Sequence, residues 1–238
     1  MGSFNNVTYN NIRIHNNDTI SNADVLAIYS FIGLDNTRKI TFTDSNVKSI
    51  CTANWGSNSE ITYEQAALVK TIGNIFQGNT EITSFNELQY FIGLTSWTTD
   101  YNGKFAGCGN LTSISLPRAF ATIIPSRCFV DCNKLASVTI PEGYTKIDGH
   151  AFDSCIIASL TIPSTIVTIG DSILQNNLAN IKVKVLPVTP PTLAVASLGY
   201  IANGYSIYVP DASLSAYKSA TNWRNMASNI YGLSSYPN

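Results

Sequence analysis

Charge is scarce in this 238-residue chain. Asp, Glu, Lys and Arg make up 12% of it, about half the ~25% usual for a soluble domain. Fourteen basic side chains stand against fifteen acidic ones, for a net charge of −1, and they form no Lys/Arg cluster. A nucleic-acid binder needs a basic footprint, so that partner class is excluded. Long apolar runs are missing too: nothing nears the ~20 residues of a membrane helix, so no membrane span is expected. Histidine occurs twice, as His15 and His150. No G-x-G-x-x-G, Walker or G-x-S-x-G pattern stands in a context that gives it meaning. Asp131, Asp148, Asp153 and Asp171 are single carboxylates in turn-like stretches, where Asp serves backbone capping. Cys128 or Cys132 could be paired with His150, but nothing in the sequence orients the imidazole. The expectation is a protein that is not an enzyme, with no catalytic residue, no cofactor and no metal.

The opening MGSFNNVTYNNIRIHNNDTI has no charged segment leading into an apolar one, so it is not a signal peptide. Either a leader has been removed and Met-Gly-Ser is a cloning remnant, or the protein never used the general secretory route. Five cysteines are an odd number, which speaks against a full disulfide framework.

Ser, Thr and Asn take the place of charge, a balance that suits strands and turns better than helix surfaces. The chain also repeats itself. FAGCGNLTSISLPRAFATIIPSRC from Phe105, FVDCNKLASVTIPEGYTKIDGHA from Phe129 and FDSCIIASLTIPSTIVTIGDSI from Phe152 are 24, 23 and 22 residues long. LQNNLANIKVKVLP from Leu174 is a degenerate fourth. The shared beat is F-x-x-C-x-x-L-x-x-I-x-I-P, a variable turn, then an Ile about five residues before the next Phe. A repeat of this length with this spacing is one turn of a leucine-rich solenoid, whose known range is roughly 20–29 residues.

Within SVTIP, alternation turns Val138 and Ile140 inward and Ser137 and Thr139 outward, and Pro141 ends the strand. Stacked coils then give an inward ladder: Ile114/Leu116, Val138/Ile140, Leu160/Ile162 and Ile181/Val183. Phe105, Phe129 and Phe152 form a second column, and Leu111, Leu135 and Ile157–Ala158 an approximate third. Cys108, Cys132 and Cys155 share one repeat position. Three thiols in a line, one per coil, do not converge as a metal requires; they read as small buried hydrophobes, and Cys128 likewise. The outward positions form a polar stripe, Ser113/Ser115, Ser137/Thr139, Ser159/Thr161 and Asn180/Lys182. It is the candidate ligand-binding surface, although exposed strands also tolerate Ser and Thr for their own sake. Tyr90, Trp97, Tyr101 and Tyr144 lie in caps or turns as possible aromatic additions.

These units resemble the BspA-like leucine-rich repeats of Bacteroidota surface proteins. ITFTDSNVKSICTANW (40–55), TYEQAALVKTIGNIFQGNTEITSFNELQYFIGLTSW (62–97) and YSIYVPDASLSAYKSATNWRNMASNIYGLSSYP (205–237) resemble segments that flank such repeats, so the likeness covers about residues 40–237. It implies an α/β solenoid: a short array of ~22–24-residue coils with a stacked β-sheet face and helical caps at both ends. The division it suggests is 1–39 as an attachment or extra capping segment, 40–104 as helical N-cap and irregular first coil, 105–186 as repeats, and 187–238 as last strand and helical C-cap.

TYEQAALVKTIGNIF reads as one helix with Thr62 as N-cap. Ala66, Val69, Ile72 and Phe76 would lie on its apolar face, and Gly73 or Gly78 would stop it. Phe91, Ile92 and Leu94 would build the first coil. At the other end Asp211 would cap ASLSAYKSA, with Leu214, Tyr217 and Trp223 closing the core. Family members often carry a calcium-loop-like D-x-N-x-D-G-x-L-S-x-x-E before the first helix; here WGSNSEITYEQAA keeps too few of its oxygens, with Gln65 where the closing Glu would be, so no calcium is expected. VTYNNIRIH alternates like a strand and SNADVLAIYSFIGL like a short helix behind Ser21/Asn22.

Two functional expectations follow. One is a non-catalytic binding or adhesion module, extracellular or at the cell surface, that engages a protein or glycan. The other is a phage virion protein, a fibre or decoration protein, whose residues 1–39 dock on the particle or drive homo-oligomer assembly while the repeats face outward.

Overall fold

A computed structural model describes residues 37–95, 103–118, 122–178, 180–195, 198 and 204–237. The strand and helix expected within residues 1–36, together with His15, Trp97 and Tyr101, lie outside the described residues. So does the attachment role given to 1–39, apart from Thr37, Arg38 and Lys39.

The described residues open with two helices, α1 (Ser45–Trp55) and α2 (Tyr63–Leu68). The caps explain both starts. Asp44 accepts hydrogen bonds from the backbone of Asn46 and Val47. Thr62 and Gln65 form a reciprocal capping box, which satisfies two otherwise orphaned amides. The expected long helix stops at Leu68. Val69 is already extended, and the Lys70 carbonyl accepts from Thr95 rather than from its own helix. Four of the five residues 69–73, Val69, Thr71, Ile72 and Gly73, are weaker helix formers, and Gly73 sits at φ +53°.

Phe76 is therefore not on a helix face. Its ring stacks on Phe105 at 5.4 Å, which stacks on Phe129 at 5.4 Å, which stacks on Phe152 at 5.5 Å. The irregular first coil before Phe105 thus opens at Phe76 rather than being built from Phe91, Ile92 and Leu94, and Phe85 supplies its strand residue.

Short parallel strands form two faces. On one, β1 (Ser84–Phe85), β2 (Ser113–Ser115) and β4 (Ser137–Thr139) make a sheet, and β6 (Ser159–Ile162), β8 (Ile181–Val185), β10 (Tyr205–Val209) and β11 (Ile230–Gly232) make another. On the second face β3 (Ile123–Ile124), β5 (Lys146–Ile147), β7 (Thr168–Ile169) and β9 (Thr192–Leu193) pair in order. This second ladder is the late Ile of each repeat: Ile124, Ile147, Ile169 and Leu193 are in register and buried.

Two details differ from expectation. The ladder breaks between β4 and β6, which are not hydrogen-bonded as strands. The cause is spacing: the inward strand residue comes six positions after the cysteine in Cys108–Ile114 and Cys132–Val138 but five after it in Cys155–Leu160. The register of the fourth repeat is also shifted. Leu160 and Ile162 pair with Val183 and Val185, not with Ile181 and Val183.

Between the faces each coil turns through a residue in the left-handed region two positions after its phenylalanine, or after Leu174 in the last of them. Gly78, Gly107, Asp131, Ser154 and Asn176 hold that place at φ between 54° and 74°, the conformation that Gly, Asn and Asp tolerate best. The turns bond coil to coil, as in Gly107 N to Val130 O and Asp131 N to Asp153 O.

The cysteine column has a use beyond filling space. Cys108, Cys132 and Cys155 donate to the carbonyls of Phe76, Phe105 and Phe129 at 2.9, 3.0 and 3.3 Å. In the fourth coil Asn177 takes over, donating to Phe152 O and accepting from Ile157 N. The chain closes through α3 (Leu214–Ser219) and a 3₁₀ segment, Trp223–Asn229. Tyr217 Oη and Trp223 Nε1 donate to Pro187 O and Pro191 O at 2.7 and 2.8 Å, so both rings enter the core with their polar atoms satisfied. Asp211 does not cap α3; its carboxylate accepts from the backbone and hydroxyl of Ser234.

Candidate functional site

The outward positions of the first face emerge as the alternation requires. Ser137, Thr139, Ser159 and Thr161 are exposed, while Ser113 and Ser115 are half-buried because Asn86 bonds both hydroxyls. Lys182 opposes Ser159 and Lys184 opposes Thr161. The last rung of the stripe is therefore Lys182/Lys184. Asn180 is not part of it: it precedes β8 at φ +61° and its amide bonds Gly204 O.

The stripe continues onto β10 and β11, which the sequence did not disclose. Tyr208 lies beside Lys184, and Tyr231 beside Tyr208. Their rings are 5.8 Å apart, and Tyr236 stands edge-on to Tyr208 at 4.8 Å. Lys184 Nζ lies 3.7 Å from the Tyr236 ring centre and Lys182 Nζ 6.0 Å. Nothing in local spacing marks these residues as neighbours; only the strand register does. The two described tyrosines noted in the sequence are structural. Tyr144 is buried and donates to Pro117 O, and Tyr90 packs edge-on against Tyr63.

The histidine that sequence left without an orienting partner has two. His150 Nδ1 is 3.0 Å from Asp153 and Nε2 is 3.5 Å from Asp171. Asp153 is nearly buried and also receives Ser154 and Asn176, so it is a fastener between coils rather than a solitary capping residue. Neither Cys128 nor Cys132 bonds this imidazole. All five thiols are free and buried. Burial pushes the Cys51 and Cys128 thiols well above the ordinary range and Cys155 up to about 12. A thiol held protonated is a poor nucleophile; the Cys108 thiol, whose pKa the hydrogen bond with the Cys132 thiol lowers, is closed to reagents by its complete burial. The native protein is accordingly expected to resist a thiol reagent such as DTNB near neutral pH, with all five thiols reacting only after unfolding; rapid labelling of even one in the native state would contradict the packing.

The loop before α2 is tied up internally. Glu60 pairs with Lys48 at 3.0 Å, and Gln65 is committed to the capping box. Among the described residues no helix is long and apolar enough to cross a membrane.

Residues 98–188 match the family model described as "BspA type Leucine rich repeat region", in six copies. No curated protein matches the chain.

Proposed function

We propose, from the match of residues 98–188 to the BspA-type leucine-rich-repeat model, that the protein is a non-catalytic binding module displayed at a bacterial cell surface, engaging a protein or glycan through its outward strand face. The observation that carries this reading is the set of exposed hydroxyl side chains that two successive coils present, Ser137 and Thr139 on β4 and Ser159 and Thr161 on β6. Solenoids offer such extended surfaces to partners, and a flat polar face with no acid/base pair suits recognition rather than turnover. The helices at the two ends serve this module as caps over its open coils.

The test uses an array of immobilised glycans and purified extracellular proteins, probed with the full chain and with the variant Thr139→Glu/Thr161→Glu. Both side chains are exposed, so the unfolding midpoint should stay within about ±0.5 kcal/mol of wild type. Binding to the array members that wild type retains should fall at least about tenfold. Unchanged binding would remove the stripe from the site.

A further inference from the structure

The C-terminal part of this face differs chemically from the rest. Across β6, β8, β10 and β11 one row on this face runs Thr161, Lys184, Tyr208, Tyr231, with Tyr208 buried beneath its neighbours, and the row beside it carries Ser159, Lys182 and Ser206. Two ammonium groups stand on this sheet, and among the described residues neither is paired with a carboxylate. Their contact with the Tyr236 ring leaves the charge in place, since an aromatic face attracts a cation without neutralising it. Tyr236 itself is held over the sheet because Ser234 N and Oγ bond the Asp211 carboxylate at 3.1 and 2.6 Å. The outermost ring, Tyr231, is 42% exposed. Tyr231 stands two strands from Lys184, with the nearly buried Tyr208 between them, so the open ring and the two cations flank one another across β10.

We infer that this lysine–tyrosine patch binds an acidic oligosaccharide, which makes it the ligand-contacting part of the binding module proposed above and rests on that reading. Each group has a counterpart in such a sugar. The C–H face of a pyranose packs on the exposed ring of Tyr231, where tyrosine offers rigid apolar area with a polar edge. A carboxylate or sulfate lies by Lys182 and Lys184, which act as point charges. Ser159, Thr161 and Ser206 exchange hydrogen bonds with ring hydroxyls. A peptide fits less well. Strand addition needs an unpaired edge, whereas both lysines stand on β8, which is bonded on both sides, and the groups of the patch project from the face of the sheet rather than from its edges. A nucleic acid is disfavoured by the net charge of −1.

The experiment is calorimetric titration of the full chain with a galacturonate hexasaccharide, a heparin-derived octasaccharide, maltohexaose and polyglutamate. The same protein is then passed over the glycan and protein array. Binding to one or both acidic sugars is expected, weakening as salt is raised, with maltohexaose and polyglutamate at least about tenfold weaker. The two acidic probes separate carboxylate from sulfate as the anion. Tyr231→Ala and Lys182→Ala/Lys184→Ala should each lower affinity about tenfold or more with unchanged thermal unfolding, whereas Lys182→Arg/Lys184→Arg should retain it. Maltohexaose or polyglutamate binding as tightly as the acidic sugars would overturn the assignment, as would variants that bind like wild type. Failure with both acidic sugars while a protein on the array is retained defeats this inference and spares the binding-module reading. Failure with everything defeats both.

Discussion

Replacing Phe129 by alanine is expected to remove about 3–5 kcal/mol of stability, the usual range for emptying a phenylalanine-sized site in a core that cannot collapse. The site has little freedom to collapse. Phe129 is fully buried and lies between the rings of Phe105 and Phe152, tilted 8° and 6° from parallel to them. Its neighbours are fixed in turn, since the backbone of each coil is bonded to the next, Phe105 N to Cys128 O and Phe129 N to Ala151 O. The column spans coils rather than filling one, so the cavity weakens an interface on each side. In a solenoid those interfaces are what stability is made of. Urea unfolding should show a lower midpoint and a shallower slope, because the halves separated by the cavity no longer melt as one unit. Thr139→Ala, on the exposed side of a neighbouring strand, should change stability by less than about 0.5 kcal/mol. A Phe129→Ala loss below about 1.5 kcal/mol would mean that the ring column is an accident of spacing and not the spine of the array.

That spine was legible from Phe105 onward because three copies repeat the same beat, and repetition averages out local ambiguity. It was not legible at Phe76, where one copy stands alone. Ala66, Val69, Ile72 and Phe76 are spaced as a helix face would be, and only the Thr95 amide on Lys70 O shows that the chain has already left the helix. Thr62 was readable as a cap because a capping box is local, four residues long and chemically complete. The polar stripe was readable through Thr161, since period-two alternation needs no tertiary knowledge. Its last rung was misplaced because Ile181, Val183 and Val185 alternate equally well in either register, and only pairing with β6 selects one. The tyrosine–lysine patch could not be read at all: Lys184, Tyr208 and Tyr236 are brought together by strand order and by the Asp211–Ser234 tie, which depend on the finished fold.

Substituting Asp44 should be the most damaging change at a polar side chain. This carboxylate is 6% exposed and joins two parts of the chain. One oxygen caps α1, accepting from Asn46 N and Val47 N at 2.8 and 3.1 Å. The other accepts from Thr83 N and Thr83 Oγ1 at 2.6 and 2.7 Å, at the entry to β1. Asp44→Ala loses a helix cap, worth about 1 kcal/mol, and strands the Thr83 donors, so about 2–4 kcal/mol in total is expected. Asp44→Asn should recover only the cap, because its amide nitrogen would face the Thr83 N–H, donor against donor. Acid sensitivity supplies an independent check. Burial pushes the Asp44 carboxyl up, but the bonds from Thr83, Val47 and Asn46 outweigh it and hold its pKa below the ordinary 3.8. A depressed folded-state pKa means that this contribution is present above the unfolded value and is lost as pH falls through the folded one. The stability difference between wild type and Asp44→Ala, measured by urea unfolding, should therefore be full at about pH 7 and shrink below about pH 4. A gap that stays constant into acid would show that the carboxylate's charge is not what ties α1 to the first coil.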